Sequence, residues 1–520
     1  MSLPTELPIW YQVKEGEEKG WSPQTSDIIQ APAKPENKVI REAWYAKNNP
    51  TYTPQVRQNP TLALQILTPI QVGGGSLPEG MILPAQIGGY PCIPGSSLKG
   101  ALLNWVKSKW ATLEDPEKNF WASLIQPDRS GWRPRAIRFQ SIPLSNLEPY
   151  PLNAQQSWQV FLEANKALSI QWQACPQEPP SINPEKLGLQ VILGQTSKPE
   201  EMQWLKARLR EALEQQGVGR GKNSGFGRLA ESIPNEFWKL ELTGMKPGVQ
   251  THSPKDNIQG KYRWSPQVLR ANLRGWFMRL ALAQLARKDA ETLTDRIFGG
   301  FGSPARLKLV SYRVYAGKVV QKNNNNQGGG GGGYANIPQT VANENWVIRV
   351  KCNEEFKPLA GQLLELAQRL GGLGPGWRRS PHVLTRFNGF RGSEFTTTTD
   401  YADRSLDDLL NTLNQSICTL AQEHHLRLNR PQALPTGAIH SIWKSDNKTQ
   451  WEKIVHGVCS TKQREKLKVK NESIPDWWGS TSRPSSYSIR QHQDHCLITT
   501  FEAGVGQVLQ QHNFKQIWPN

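Results

Sequence analysis

Two glycine-rich stretches carry the residues best suited to chemistry in this 520-residue chain, and each follows a run of helical periodicity. The first reads Gly217-Val-Gly-Arg-Gly-Lys-Asn-Ser-Gly-Phe-Gly-Arg and holds Arg220, Lys222, Asn223 and Arg228. The second reads Gly371-Gly-Leu-Gly-Pro-Gly-Trp-Arg-Arg-Ser and holds Arg378 and Arg379. Glycine lets backbone N–H groups approach a phosphate closely, and the cations add charge, Arg as a planar fork. Taken singly, either stretch also reads as a plain helix stop. Their recurrence at matching places favours phosphate binding. Neither is a Walker A sequence, because the closing Gly-Lys-Ser/Thr is missing, and neither opens a dinucleotide-binding strand–turn–helix unit.

The helix-start segments offer a second kind of anion site. In Ile93-Pro-Gly-Ser-Ser-Leu-Lys-Gly, Ser96 or Ser97 is placed to cap a helix, and Lys99 adds a charge beside the first-turn N–H groups. The corresponding segment Ser265-Pro-Gln-Val-Leu-Arg-Ala-Asn-Leu-Arg supplies Gln267, Arg270 and Arg274. An ordinary N-cap with solvated basic residues is the alternative for both. The adjacent His424 and His425 point in different directions on a helix and have no third ligand nearby in sequence, which argues against zinc. No Gly-x-Ser-x-Gly elbow and no Cys/His nucleophile pattern stands out.

The elements that must position these residues recur in one order. A strand at Thr61–Leu67 leads to a loop, a helix from about Pro94, a strand near Arg135–Phe139, a helix from Lys198 to Gln216 and the first glycine stretch. A strand at Lys239–Leu242 then leads to a loop, a helix from Pro266 to about Ala286, a strand after Phe298-Gly-Gly-Phe-Gly-Ser, a helix from Lys357 to Leu370 and the second stretch. The chain therefore reads as two diverged copies of one α+β module. The boundaries are an extension at 1–58, a first module at 59–235, a second at 236–392 and a C-terminal extension at 393–520. The tract 321–333, rich in Asn and Gly, reads as a loop tip between hairpin strands. The alternating run Ser486–Phe501 reads as a late hairpin completing the second sheet.

Composition narrows the partner. Sixty-two Lys plus Arg against 44 Asp plus Glu leave a net charge of +18, which suits a polyanion such as nucleic acid. The 20 tryptophans include candidates for base stacking, although most read as core. No apolar run is long enough to span a bilayer, so no membrane partner is expected. The start shows no basic segment followed by an apolar one, and the six cysteines include no CxxC pair, which points to the cytoplasm.

Three segments together, Leu67-Thr-Pro-Ile-Gln-Val-Gly-Gly-Gly, Ile93-Pro-Gly-Ser-Ser-Leu-Lys-Gly and Gly219-Arg-Gly-Lys-Asn-Ser-Gly-Phe-Gly-Arg, resemble the RAMP superfamily of CRISPR proteins. The likeness is to the backbone subunits of type III effector complexes. Leu273-Arg-Gly-Trp-Phe, Ile297-Phe-Gly-Gly-Phe-Gly-Ser and Gly371-Gly-Leu-Gly resemble the same superfamily in a more divergent form, similar to fused two-module subunits of type III-D-like variants. The resemblance implies two tandem ferredoxin-like, RNA-recognition-type modules with hairpin insertions. It implies guide RNA, target RNA and other effector subunits as partners, in antiviral defence.

Some subunits of this superfamily cut target RNA with an aspartate in the loop between first strand and first helix. Such a residue holds a hydrated Mg²⁺ or orients the ribose 2′-OH. In the first copy Glu79 is the only acid of that loop, so no cut is expected there. In the second copy Asp256 occupies the loop, near His252 and Lys255, and is both the catalytic and the metal candidate. An Asx-turn role is its alternative. Three function readings follow: a pure RNA scaffold, a scaffold with a metal-dependent endoribonuclease at Asp256, and a guide-processing ribonuclease working through a histidine such as His252. A single module carrying a large insertion is the alternative architecture.

Overall fold

The computed structural model describes residues 60–76, 81–87, 90–125, 137–144, 147–153, 159–162, 167–176, 186–193, 198–235, 237–244, 249–250, 262–300, 303–315, 319–322, 339–371, 373–374, 382–384, 389–391, 393–397, 404–457 and 484–519. The extension 1–58, Glu79, His252, Lys255, Asp256, Arg378, Arg379 and the Asn/Gly tract from 323 onward lie outside the described residues.

The first unit is built around β1 (Leu62–Ile66), in which alternation buries Leu62 and Leu64. Helix α1 (Gly95–Ser108) follows, burying Leu98, Ala101, Leu102, Trp105 and Val106 at helical spacing. Next come α2 (Asp115–Ile125), β2 (Ile137–Phe139) and a hairpin of β3 (Leu147–Asn153) and β4 (Ala167–Ala174). Strands β5 (Leu187–Leu189) and β6 (Val191–Leu193), helix α3 (Pro199–Gln215) and β7 (Leu229–Ala230) complete the unit. Helix α3 starts as its sequence dictates: Pro199 takes the first position and the Glu201 carboxylate accepts from Lys198 N at 2.9 Å. Strand β1 is central. It pairs antiparallel with β5 on one side and β7 on the other, and β6 pairs antiparallel with β2.

The second unit is also α+β. Its described elements include β8 (Trp238–Gly244), α4 (Pro266–Ala281), α5 (Arg287–Phe298), β9 (Val310–Tyr315), β10 (Val319–Lys322), β11 (Gln339–Lys351), α6 (Lys357–Leu370) and β12 (Ser393–Thr397). The sheet order β9-β11-β8-β12 again puts the first strand at the centre, with every pairing antiparallel. Strands β10 and β11 pair as far as Lys322↔Gln339, so the Asn/Gly tract connects them. The helix read as running from Pro266 to about Ala286 ends at Ala281, and the chain turns at 282–286 before α5 begins.

The hairpin at 486–501 does not complete the second sheet. The free edge of β8 is already occupied by β12, so the hairpin joins a sheet of its own. That sheet contains β13 (Ser441–Ser445), β14 (Tyr487–Gln491), β15 (Cys496–Thr500) and β16 (Lys515–Trp518), with helices α8 (Gln450–Gly457) and α9 (Val505–Gln511). Its order is β14-β15-β13-β16, all antiparallel. The first strand is again central, and among the described residues the stretch 441–518 runs strand–helix–strand–strand–helix–strand. The stretch 393–520 is therefore not one extension. Residues 393–397 belong to the second sheet, α7 (Leu406–Glu423) packs on the second unit's core, and a small unit follows.

The described tryptophans mostly serve the cores. Trp105, Trp121, Trp238, Trp264, Trp276, Trp443 and Trp451 are buried. Several of their indole N–H groups are paired with side chains: Trp121 donates to Glu117 at 2.9 Å, Trp105 to Glu211 at 2.9 Å and Trp264 to Ser311 at 2.7 Å. Arg208 on α3 grips Glu117 on α2 at 2.8 and 2.9 Å, which ties those two helices and holds the Glu117 carboxyl below the ordinary carboxylate range. Among the described residues no helix is long and apolar enough to cross a membrane.

One side chain touches all three units. Arg279 of α4 is 1% exposed and donates to Gly437 O at 2.7 Å and to Gln159 O, and its guanidinium lies 3.5 Å from the Phe501 ring centroid. Gln159 belongs to the first unit's segment between β3 and β4, Gly437 leads into the third unit, and Phe501 follows β15. Replacing Arg279 with Met keeps the apolar stem and leaves two buried carbonyls without this donor. The expected loss is about 3 kcal/mol of stability, measured as a lower urea midpoint. A loss under about 0.5 kcal/mol, the level of an ordinary surface change, would show that the carbonyls are served otherwise.

Candidate nucleic-acid interface

The first glycine stretch is laid out by five left-handed glycines, Gly217, Gly219, Gly221, Gly225 and Gly227. It folds back on itself through Val218 N→Gly227 O at 2.9 Å and forms a short turn at Lys222–Ser224 between Gly221 and Gly225. Backbone bonds then zip it to residues 67–72. Arg220 N donates to Gln71 O at 2.7 Å, Gly227 N to Pro69 O at 2.9 Å and Leu67 N to Arg228 O at 2.9 Å, while Thr68 Oγ1 accepts from Arg228 N at 2.9 Å. Two motif segments about 150 residues apart in sequence thus form one surface. Side chains are excluded by geometry: a methyl group on Gly227 stands 1.9 Å from Val218 O, and one on Gly219 2.6 Å from Gln71 O.

Arg220 and Asn223 face outward on this loop, and Lys222 is half-buried, its ammonium pKa lowered by burial and by the nearby Arg228. Arg228 departs from the expected surface role. It is 3% exposed and lies beneath the loop, where Nη2 donates to Lys222 O at 3.1 Å. Among the described residues its Nε and Nη1 find no acceptor, and burial lowers its pKa to about 10. It supports the loop from below, and Arg220 is the exposed arginine of this loop.

Arg270 and Arg274 also differ from the anion-binding expectation. Arg270 donates to Phe298 O and to Gly299 O at 2.9 Å, and Arg274 donates to Gly299 O at 2.7 Å and pairs with Asp295. Both guanidinium groups cap the carbonyl end of α5, where unpaired C=O groups and the helix dipole attract cations. Burial and the neighbouring Arg274 push the Arg270 pKa down to about 9. Gln267, in the first turn of α4, is half-buried.

The start of α1 is capped differently from the serine reading. Pro94 is the N-cap, Gly95 N donates to Ser141 Oγ at 3.2 Å, and Ser96 and Ser97 sit within the first turn. Gly95 is required because a methyl group there meets Phe139 O at 2.1 Å. Ser96 is exposed and Ser97 half-buried; Lys99 reaches Ile137 O at 3.4 Å, with its pKa lowered by burial. This helix start is built with β2, whereas the glycine loop is built with residues 67–72.

The loop meets the second unit. A methyl group on Gly225 stands 3.0 Å from Pro266 Cβ and 3.3 Å from Leu309 O, and one on Gly299 stands 3.2 Å from Asn223 Nδ2. Leu67, Ala230, Val310 and Tyr312 form a small apolar cluster beside it, and burial pushes the Tyr312 hydroxyl up to about 12. The glycine loop of the first unit and the helix start of the second thus share one boundary. Sequence spacing gave no signal for Pro266, Gly299 or Leu309 as loop neighbours. No three His, Cys, Asp or Glu gather into a metal site among the described residues.

The first unit thus joins a glycine loop to the end of its central strand. Residues 63–230 match the family model of the RAMP superfamily. No curated protein matches the chain. Among solved structures, the chain is similar to Cmr1 from Pyrococcus furiosus in its apo form, at 12% identity over 54% of this chain and 99% of that one, with a TM-score of 0.31. It is also similar to a chain of the type III-B Cmr-beta complex bound to cognate target RNA and AMPPnP in the presence of single-stranded DNA, at 10% identity over 53% of this chain and 97% of that one, with a TM-score of 0.26.

Two glycine substitutions separate loop geometry from general glycine effects. Gly227→Ala forces a methyl group into Val218 O at positive φ and is expected to destabilise the protein by about 3 kcal/mol. Gly100→Ala, within α1 and with nothing within 4 Å of the new methyl group, is expected to stabilise by about 0.5–1 kcal/mol. Thermal melts of both variants check the pair.

Proposed function

We propose that the chain is a guide-RNA-binding backbone subunit of a type III CRISPR effector complex, with tandem ferredoxin-like RAMP modules that hold guide RNA and the guide–target duplex. The observation that carries this reading is the first glycine loop, a RAMP-matched surface with Arg220 and Asn223 facing outward at the boundary with the second unit. A phosphodiester backbone suits it, since glycine backbone permits close approach and Arg supplies a charge-assisted fork without reading bases. The net charge of +18 and the central first strand of each unit add support. Target RNA and other effector subunits are the further partners, in the cytoplasm, in antiviral defence.

Replacing Arg220, Lys222, Arg378 and Arg379 together with Ala is expected to weaken RNA binding and flatten its salt dependence. Each lost phosphate contact removes about 0.7 from the slope on single-stranded RNA. Unchanged affinity and slope, measured by filter binding across a salt series, would overturn the reading.

A second reading adds target-RNA cleavage at Asp256. It is favoured by chain position: Asp256 falls between β8, the second unit's first strand, and α4, its first helix. A Mg²⁺ ion held there would supply Lewis-acid stabilisation of charge on the phosphate oxygens. Asp256→Asn is expected to remove one band from the target-cleavage ladder while guide binding stays intact. An unchanged ladder, resolved by product length, would leave the chain a scaffold.

A further inference from the structure

The third unit has two faces, and the register of its strands separates them. Trp443, Tyr487, Ile489, Cys496 and Ile498 face α8 and α9, where they form a core with Trp451, Ile454, Val505 and Leu509. The opposite face carries Ile442, Ser488, Arg490, Leu497 and Thr499, all buried. In RNA-recognition-type units the sheet face opposite the helices is the one on which bases stack. Here that face is shut against the second unit: Ile442, Leu497 and Phe501 belong to the second unit's core cluster.

The polar groups on this closed face have a specific address. Ser488 Oγ donates to Leu370 O at 3.0 Å, and His492 Nε2 meets Arg369 O at 3.1 Å. A carbonyl only accepts, so Nε2 of His492 carries the proton. Burial, with the nearby Arg490, pushes the His492 pKa down to about 4, which keeps the ring neutral at physiological pH. Leu370 and Arg369 are the last residues of α6, where helix geometry leaves carbonyls without partners. The next residue is Gly371, the first of the second glycine stretch. Farther along, Gly374 N donates to Asn272 Oδ1 of α4 at 2.8 Å, and Asn272 is itself buried.

We propose that the third unit is a positioning module for the second glycine-rich loop: Ser488 and His492 cap the end of α6 and, with Asn272, fix the chain at the mouth of that loop. This rests on the reading of the loop as an RNA-backbone contact. Surrendering its own base-stacking face, the unit serves RNA binding indirectly, by holding the loop that leads to Arg378 and Arg379. Ser488 and His492 are positioning residues and touch no RNA.

The test uses the full chain and hydrogen exchange. The Ser488→Ala/His492→Leu double variant is expected to raise amide exchange at Gly371 and Gly374 by about tenfold, as loss of local hydrogen bonding does. Amides of α3 in the first unit and α8 in the third should keep their rates. Ser486→Ala, which removes a hydroxyl bonded to Glu502 at 2.6 Å, should change neither glycine. Unchanged exchange at Gly371 and Gly374 in the double variant would overturn the proposal. Equal acceleration in α8 would also overturn it, since the third unit would then be loosening as a body. RNA binding by the same variant, measured over a salt series, separates the two readings. A flatter slope with faster exchange supports both. Faster exchange with an unchanged slope leaves the loop positioned as described but removes it from the RNA path.

Discussion

The arrangement of the three units depends on a charge that should not be buried. Arg279 is among the largest fully buried side chains, and a guanidinium without acceptors inside a protein is strongly unfavourable. Its acceptors come from elsewhere in the chain: Gln159 O from the first unit's insertion and Gly437 O from the approach to the third unit. Trp276, on the same helix, and Phe501 meet edge to face at 5.8 Å, so the aromatic contact and the cation meet at one point. Gly437 has φ of 99°, and a methyl group there stands 2.6 Å from Val160 O; the backbone that presents its carbonyl to Arg279 tolerates only glycine. One buried cation thus joins backbone from three parts of the chain, beside the apolar packing of Val160, Ile442, Leu497 and Phe501 in the second unit's core cluster.

The same logic, in reverse, shapes the glycine loop. The cations at the boundary between loop and α4 divide by accessibility: Arg228 is sunk as support, Arg270 and Arg274 of α4 bond helix carbonyls, and Arg220 of the loop stays at the surface. A basic composition therefore overstates the charge available to a polyanion. Part of it neutralises the chain's own helix ends and buried carbonyls.

The order of strands and helices in the first two units was readable because periodicity and glycine punctuation both repeat. Leu205, Leu209 and Leu213 mark α3, and Gly217 marks where it stops. What escaped reading was tertiary in origin. The burial of Arg228 depends on residues 67–72 closing over the loop, and the occupation of Arg270 and Arg274 depends on where α5 ends. The third unit was hidden for another reason. Its described helices span 8 and 7 residues, and the alternating run at 486–501 fits either sheet. Only the presence of β12 at the edge of β8 decides which sheet it joins. Asp256, Arg378 and Arg379 lie outside the described residues, so their assignment still rests on sequence position.

The central place of β1 has a bearing on synthesis. Its partners are β5 and β7, and β7 ends at Ala230, so the first sheet cannot close until nearly the last residue of that unit has left the ribosome. At translation rates of about 5–20 residues per second, the strand waits on the order of ten to thirty seconds before its β7 edge can pair. An apolar strand in that state is a template for pairing with other chains. The nascent chain is therefore most exposed to aggregation before the glycine loop is made, and chaperone demand should fall once residue 230 emerges.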